Sequence, residues 1–178
     1  MSREQQYAAS LAVPVSAQDH AQGPANAPVL VEYGDYECPA CGNAYEAIAV
    51  LRERMGDQFR FVFRNFPLST VHPHAHGAAL AAEAAAMQGM FWEMHDMLYE
   101  HQEALDLSSL TRYAEVLGLD VDRFEADRQG PECEERVRRD FLGGARSGVN
   151  GTPTFFVNGT RFDGPPDEDA LAEALETE

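Results

Sequence analysis

The chain has 178 residues, enough for one domain with a sizeable core, and its hydrophobic and charged fractions of 44% and 24% are those of an ordinary globular protein. Its formal net charge of −17, with thirteen basic residues that are all arginine, excludes nucleic acid and anionic membranes as default partners. Three cysteines are too few for a disulfide framework, and no apolar run approaches the roughly 20 residues of a membrane span. The opening stretch carries Arg3, Glu4 and Asp19 and lacks a signal-peptide core, so a cytoplasmic location is expected. The acidic, lysine-free composition fits either a salt-rich cell interior or a bias of the genome.

Residues 1–27 are polar, and Gly23, Pro24, Asn26 and Pro28 mark an irregular lead-in. The β-branched run Val29 to Tyr33 predicts a buried strand, which Gly34 to Glu37 break. Cys38-Pro39-Ala40-Cys41 follows, opening a helix that continues through Tyr45, Ile48 and Leu51 to a stop near Gly56. Pro39 suits the first helical turn, because its fixed φ matches and its missing N–H has no partner to lose there. Cys38 then lies where unpaired backbone N–H groups and the helix dipole stabilise a thiolate. Cys41, three positions on, shares its face and can close a disulfide ring. Phe59 to Phe66 is aromatic and partly alternating, which predicts a second strand, parallel to the first in a right-handed βαβ unit.

From Leu68 to about Ser147 the pattern is helical. Helices are predicted over alanine-rich His74 to Gln88 and over Phe91 to His101, where Trp92, His95, Leu98 and Tyr99 recur by three and four. A further helix is capped by Ser108 or Ser109, a short one by Asp120, and a longer one runs from Glu132 to Arg146. Strands resume at Thr154 to Asn158 and, after the Asn158-Gly159 turn, at Thr160 to Phe162; Asp167 caps a last helix. The expected organisation is α/β. A domain of residues 28–67 and 148–178 in the order β-α-β … β-β-α is interrupted by an all-helical insertion at 68–147.

A Cys-x-x-Cys pair after a strand and at a helix start points to redox chemistry, although zinc ribbons use the same spacing. The combination of motifs goes further. Gly34-Asp35-Tyr36-Glu37-Cys38-Pro39-Ala40-Cys41 is joined by Gly23-Pro24, Ala27-Pro28, Arg64-Asn65-Phe66-Pro67-Leu68 and His72-Pro73-His74-Ala75. Gln88-Gly89 with Phe91-Trp92, and Gly148-Val149-Asn150-Gly151-Thr152-Pro153-Thr154-Phe155, complete the set. With these residues, from about Asp19 to the last helix, the chain resembles the DsbA-like members of the thioredoxin superfamily, a thioredoxin fold bearing a helical insertion.

The resemblance implies a cofactor-free thiol–disulfide oxidoreductase in which Cys38 is the nucleophile and Cys41 resolves the mixed disulfide. It matches Glu32 to the buried acid of the first core strand, able to take the Cys41 proton, and Thr152-Pro153 to the loop with a cis-proline opposite the cysteines. Pro39 and Ala40, with Thr152 and Pro153, form the substrate-binding surface, and the Thr152 backbone is free to pair with an extended substrate. Strongly oxidising relatives carry a histidine where Ala40 stands. Ala40 offers the thiolate no donor and Glu37 adds a negative charge, so a less oxidising couple is expected. In a reducing cytoplasm, reduction or isomerisation of disulfides in proteins or small thiols is the expected direction, by a monomer or weak dimer.

Two alternatives keep the fold: a peptide-binding or chaperone-like module whose cysteines only sense redox state, and a glutathione-dependent transferase or isomerase. No metal is expected. His72, His74 and His76 read as a helix start, and further ligands for a zinc–cysteine site are missing. Cys133 falls on an apolar stripe with Val137 and Phe141 and is expected to be a buried, inert thiol. Phe91, Trp92 and Tyr99 are expected in the core of the insertion.

Overall fold

Strand β2, Val29–Gly34, carries the hydrophobic pattern of a strand covered on both faces, and every residue after Val29 is buried. The computed structural model describes residues 9–177. It places β2 at the centre of a five-stranded sheet of order β1-β3-β2-β4-β5, with β1 at His20–Gln22, β3 at Arg60–Asn65, β4 at Thr154–Val157 and β5 at Thr160–Phe162. β2 runs parallel to β3, with Val31 opposite Val62, and antiparallel to β4, with Val31 opposite Phe156. The parallel pair is joined by helix α1, Pro39–Met55, as the βαβ rule requires. The β4–β5 hairpin turns at Asn158 and Gly159, with φ of 47° and 84°, the left-handed pair that a two-residue loop needs.

Helices α2 (Ala75–Ala86), α3 (Phe91–Glu100), α4 (Leu107–Val116), α5 (Val121–Arg128) and α6 (Pro131–Arg146) fall between β3 and β4, and α7 (Glu168–Glu176) ends the fold. Alternation along the strands sends side chains into two cores. Leu30, Phe61, Phe63, Phe155 and Val157 share one with Ile48 and Leu51 of α1, Leu171 and Leu175 of α7, and the helices α2 to α6. Val31, Tyr33, Val62, Phe66 and Phe156 form the other, covered by Phe141 of α6 and by Leu11 and Val15. α6 lies close on this face because Gly144 has no side chain; a Cβ there would stand 2.8 Å from the Phe66 ring and 3.0 Å from that of Tyr33.

Three sequence expectations are corrected. The lead-in is not wholly irregular, since His20–Gln22 pairs antiparallel with β3, His20 opposite Phe63. So short and polar a segment carries no strand signal of its own; the open edge of β3 supplies its hydrogen bonds. Helix α4 begins after Asp106, not at a serine cap; the Asp106 carboxylate accepts from both serine hydroxyls, at 2.6 Å from Ser108 and 2.5 Å from Ser109. Helix α6 starts one residue early, at Pro131, which fits the first-turn preference of proline. Asp120 and Asp167 do cap α5 and α7, accepting from the N–H of Arg123 and Ala170.

Candidate active site

The C-terminal end of β2 delivers the chain into the turn that starts α1. Cys38 is the N-cap residue in extended conformation, Pro39 opens the helix, and Cys41 lies inside the first turn. Both are free thiols; Cys38 is 6% exposed and Cys41 fully buried. The Thr152–Pro153 peptide, cis, closes the site from the other side, with the Thr152 carbonyl 3.6 Å from the Cys38 sulfur.

The two thiols are held in opposite states. A hydrogen bond from the Cys41 thiol, opposed by burial and reinforced by the backbone N–H groups of Cys41 and Ala40, lowers Cys38 to about 5. The same hydrogen bond, together with burial and the charge of Glu32, pushes Cys41 far above the ordinary thiol range. Cys38 is thus an anion at neutral pH and Cys41 a proton donor to it. Glu37, expected to disfavour the thiolate, turns its carboxylate to the N–H of His74 at 3.2 Å.

Glu32 is 2% exposed on β2, and its Oε1 has no hydrogen-bond partner among the described residues. Burial, and then the charge of Cys38, raise its carboxyl to about 8. It is electrostatically coupled to both sulfurs.

Residues that sequence reasoning passed over hold the turn. Asp35 is buried: its Oδ1 accepts from the Glu37 N–H at 2.8 Å, and its Oδ2 from the Leu68 N–H at 2.9 Å and His72 Nδ1 at 2.8 Å. An aspartate two residues before the N–H it binds is an Asx turn, a signal available in Gly34-Asp35-Tyr36-Glu37. Gln102, beyond α3, donates from Nε2 to the carbonyls of Tyr36 and Cys38, both at 2.9 Å. Nothing local in the sequence marks so distant a clamp. The Tyr36 hydroxyl and His95 Nδ1 share a hydrogen bond of 2.9 Å, and burial lowers His95 to about 3, which favours a neutral ring.

Phe91 and Tyr99 are buried and Trp92 half-buried, packed with His95 against Phe61 and Phe63 of β3. Cys133 is buried with its sulfur 3.7 Å from that of Met87, and burial pushes its thiol up to about 12, which disfavours the reactive thiolate. His72 pairs with Asp35 and His76 with Glu134; among the described residues no group of three or more His, Cys, Asp or Glu side chains is arranged to hold a metal. No helix among them is long and apolar enough to cross a membrane.

This fold and turn define a DsbA-like protein of the thioredoxin superfamily. A family model described as thioredoxin matches residues 16–177, and the chain belongs to that family. A thioredoxin-like oxidoreductase from Silicibacter pomeroyi is similar in structure at a TM-score of 0.81, with 26% identity over 90% of this chain and 92% of that one. BdbD from Bacillus subtilis shares the fold at a TM-score of 0.84, with 23% identity over 96% of this chain and 97% of its own. Among curated proteins, the Na(+)/H(+) antiporter NhaA 3 of Salinispora tropica is 51% identical over 93% of this chain but only 26% of its own length. The antiporter NhaA 1 of Mycobacterium sp. (strain KMS) is 47% identical over 89% of the chain and again 26% of its own. The chain therefore spans about a quarter of the length of the curated relatives it matches.

Proposed function

We propose that the protein is a protein-disulfide oxidoreductase working through Cys38 and Cys41. The observation that carries this reading is geometric: Cys38 caps α1, Cys41 follows within the first turn, and the cis Thr152–Pro153 peptide faces them with its Thr152 carbonyl 3.6 Å from the Cys38 sulfur. The lowering of the Cys38 thiol and the raising of the Cys41 thiol support it. The Cys38 thiolate attacks one sulfur of a substrate disulfide, forms a mixed disulfide and releases the other sulfur as a thiolate. Cys41 passes its proton to the Glu32 carboxylate and attacks the Cys38 sulfur. This closes the Cys38–Cys41 disulfide and expels the reduced substrate. Glu32, near 8, has a value matched to taking and returning a proton around neutrality. Reversed, the same steps oxidise a dithiol. Pro39, Ala40, Thr152 and Pro153 form the surface against which an extended substrate is presented.

Direction follows the surroundings. We place the exchange in the cytoplasm, where the ambient poise draws it towards reduction or isomerisation of disulfides in proteins or small thiols. The test is turnover of a disulfide-bonded protein substrate such as insulin, with Cys41→Ser used to trap the mixed disulfide. Catalysis lost in Cys38→Ser, and a trapped adduct in Cys41→Ser, support the reading. No turnover combined with peptide binding that survives Cys38→Ser replaces it with a redox-sensing module.

The likeness to chains named as Na(+)/H(+) antiporters favours a second reading of the partner: the exchange serves a membrane antiporter. Recovery of an antiporter as the Cys41→Ser adduct supports it, and adducts with soluble proteins alone refute it.

A further inference from the structure

The active-site turn is tied to the loop between β3 and α2 by two carboxylates. Asp35 Oδ2 holds the Leu68 N–H and His72 Nδ1, and Glu37 Oε1 holds the His74 N–H. Asp35 is also the residue whose carbonyl accepts the Cys38 N–H, at 3.2 Å. A single buried side chain therefore connects the start of α1 to His72. The imidazole is 18% exposed, wet enough to exchange a proton with solvent, while the carboxylate it binds has no exposure.

The charges that act most strongly on His72 are negative. Asp35, Cys38 and Glu37 each favour its protonated form, and the Asp35 hydrogen bond, against partial desolvation, raises it above the ordinary histidine value. From α6, Glu134 is taken up by His76 at 2.9 Å, and Arg138 lines the groove beside Pro67, Leu68, Ser69 and Thr70. Position 40 is alanine and gives the thiolate no side-chain donor. His72 reaches the active-site turn through Asp35, whose side chain binds its ring and whose carbonyl accepts the Cys38 N–H.

We propose that His72, held by Asp35, is a positioning residue whose imidazolium is the counter-charge of the Cys38 thiolate, so that losing the His72 proton weakens the thiolate. The inference rests on the reading of Cys38 as the reactive thiolate and adds a regulating residue to it. Coupling between two titrating groups is reciprocal: if His72 stabilises the thiolate, the thiolate stabilises protonated His72 by the same factor.

The test is titration of the reduced protein by thiolate absorbance. His72→Asn keeps a donor near the Nδ1 position and removes the charge. It is expected to move the Cys38 midpoint up by about 1 pH unit, the scale of one nearby opposite charge. His72→Lys, which restores a cation, is expected to recover most of that shift. If His72→Asn fails to fold, the same coupling is read from the other side, by NMR titration of His72 in the native chain and in Cys38→Ser. The His72 midpoint is expected to fall in Cys38→Ser by the amount the Cys38 midpoint rises in His72→Asn. A folded His72→Asn with an unmoved Cys38 midpoint, or a His72 midpoint indifferent to Cys38→Ser, overturns the proposal. Neither readout requires turnover, so failure of the oxidoreductase reading shows separately in the insulin assay.

Discussion

The carbonyl oxygen of Thr152 lies 3.6 Å from the sulfur of Cys38, although 114 residues separate them in the chain. The long connection through α2 to α6 returns the chain at β4, antiparallel to β2, and this register sets the Thr152 loop over the start of α1. A hydrogen bond from Cys41 is the largest influence lowering the Cys38 thiol to about 5. Alkylation of reduced Cys38 should therefore reach half its maximal rate near pH 5. In Cys41→Ala the midpoint should move up by more than about 1 pH unit, towards the free-thiol value near 8.5. A native midpoint near 8.5 would remove the basis of this account.

Glu32 is expected to show itself in stability and in kinetics. Its folded value, about 8, lies above the ordinary carboxyl value of 4.5, so its protonated form contributes fully below pH 4.5 and that contribution is lost as pH rises through 8. Relative to native protein, Glu32→Gln should gain roughly 4 kcal/mol between those limits, read as the pH dependence of urea midpoints. Any constant cost of the buried amide cancels in that difference. The variant should also resolve mixed disulfides more slowly while the first attack proceeds at nearly its native rate.

Arg64 is expected to be among the costliest residues to remove. Its guanidinium donates to both Asp19 oxygens at 2.9 and 3.0 Å, to the carbonyls of Val13 and Pro14, and to the Tyr33 hydroxyl, with the ion pair almost wholly buried. Burial alone would raise Asp19, but the Arg64 hydrogen bonds and charge outweigh it and hold the carboxyl below its usual range. Arg64→Met should cost about 3–5 kcal/mol at neutral pH by stranding that carboxylate. Because the Asp19 contribution is present above its unfolded value near 3.8 and lost below it, the cost should shrink in acid.

Gly144→Ala should destabilise the protein by about 2 kcal/mol, measured by chemical denaturation. The added methyl meets the rings of Phe66 and Tyr33, which are packed on both sides and have little room to retreat.

Much of this architecture was legible in the residues. Val29 to Tyr33 read as a strand, Cys38 to Cys41 as a helix start and Asn158-Gly159 as a hairpin, because each is written in local pattern and turn chemistry. What escaped is what the tertiary structure supplies. His20–Gln22 becomes a strand only because β3 offers an open edge, and Gln102 becomes a clamp only because α3 ends beside the active-site turn. The opposite states of Cys38 and Cys41 also exceed what helix position predicts. They arise from a hydrogen bond between the two sulfurs and from the burial of one of them. Glu37, counted from sequence as a nearby repulsive charge, also accepts from the N–H of His74, a contact that local pattern does not reveal.

Equilibration of the protein against glutathione, with free thiols counted by alkylation and mass, tests the central claim most directly. The account predicts one two-electron transition in which Cys38 and Cys41 disappear together while Cys133 stays reduced. The potential should lie between those of thioredoxin and DsbA, about −270 and −120 mV, since the thiolate is stabilised but Ala40 offers it no donor. Failure of any Cys38–Cys41 disulfide to form across that range, or its formation with Cys133 instead, would contradict it.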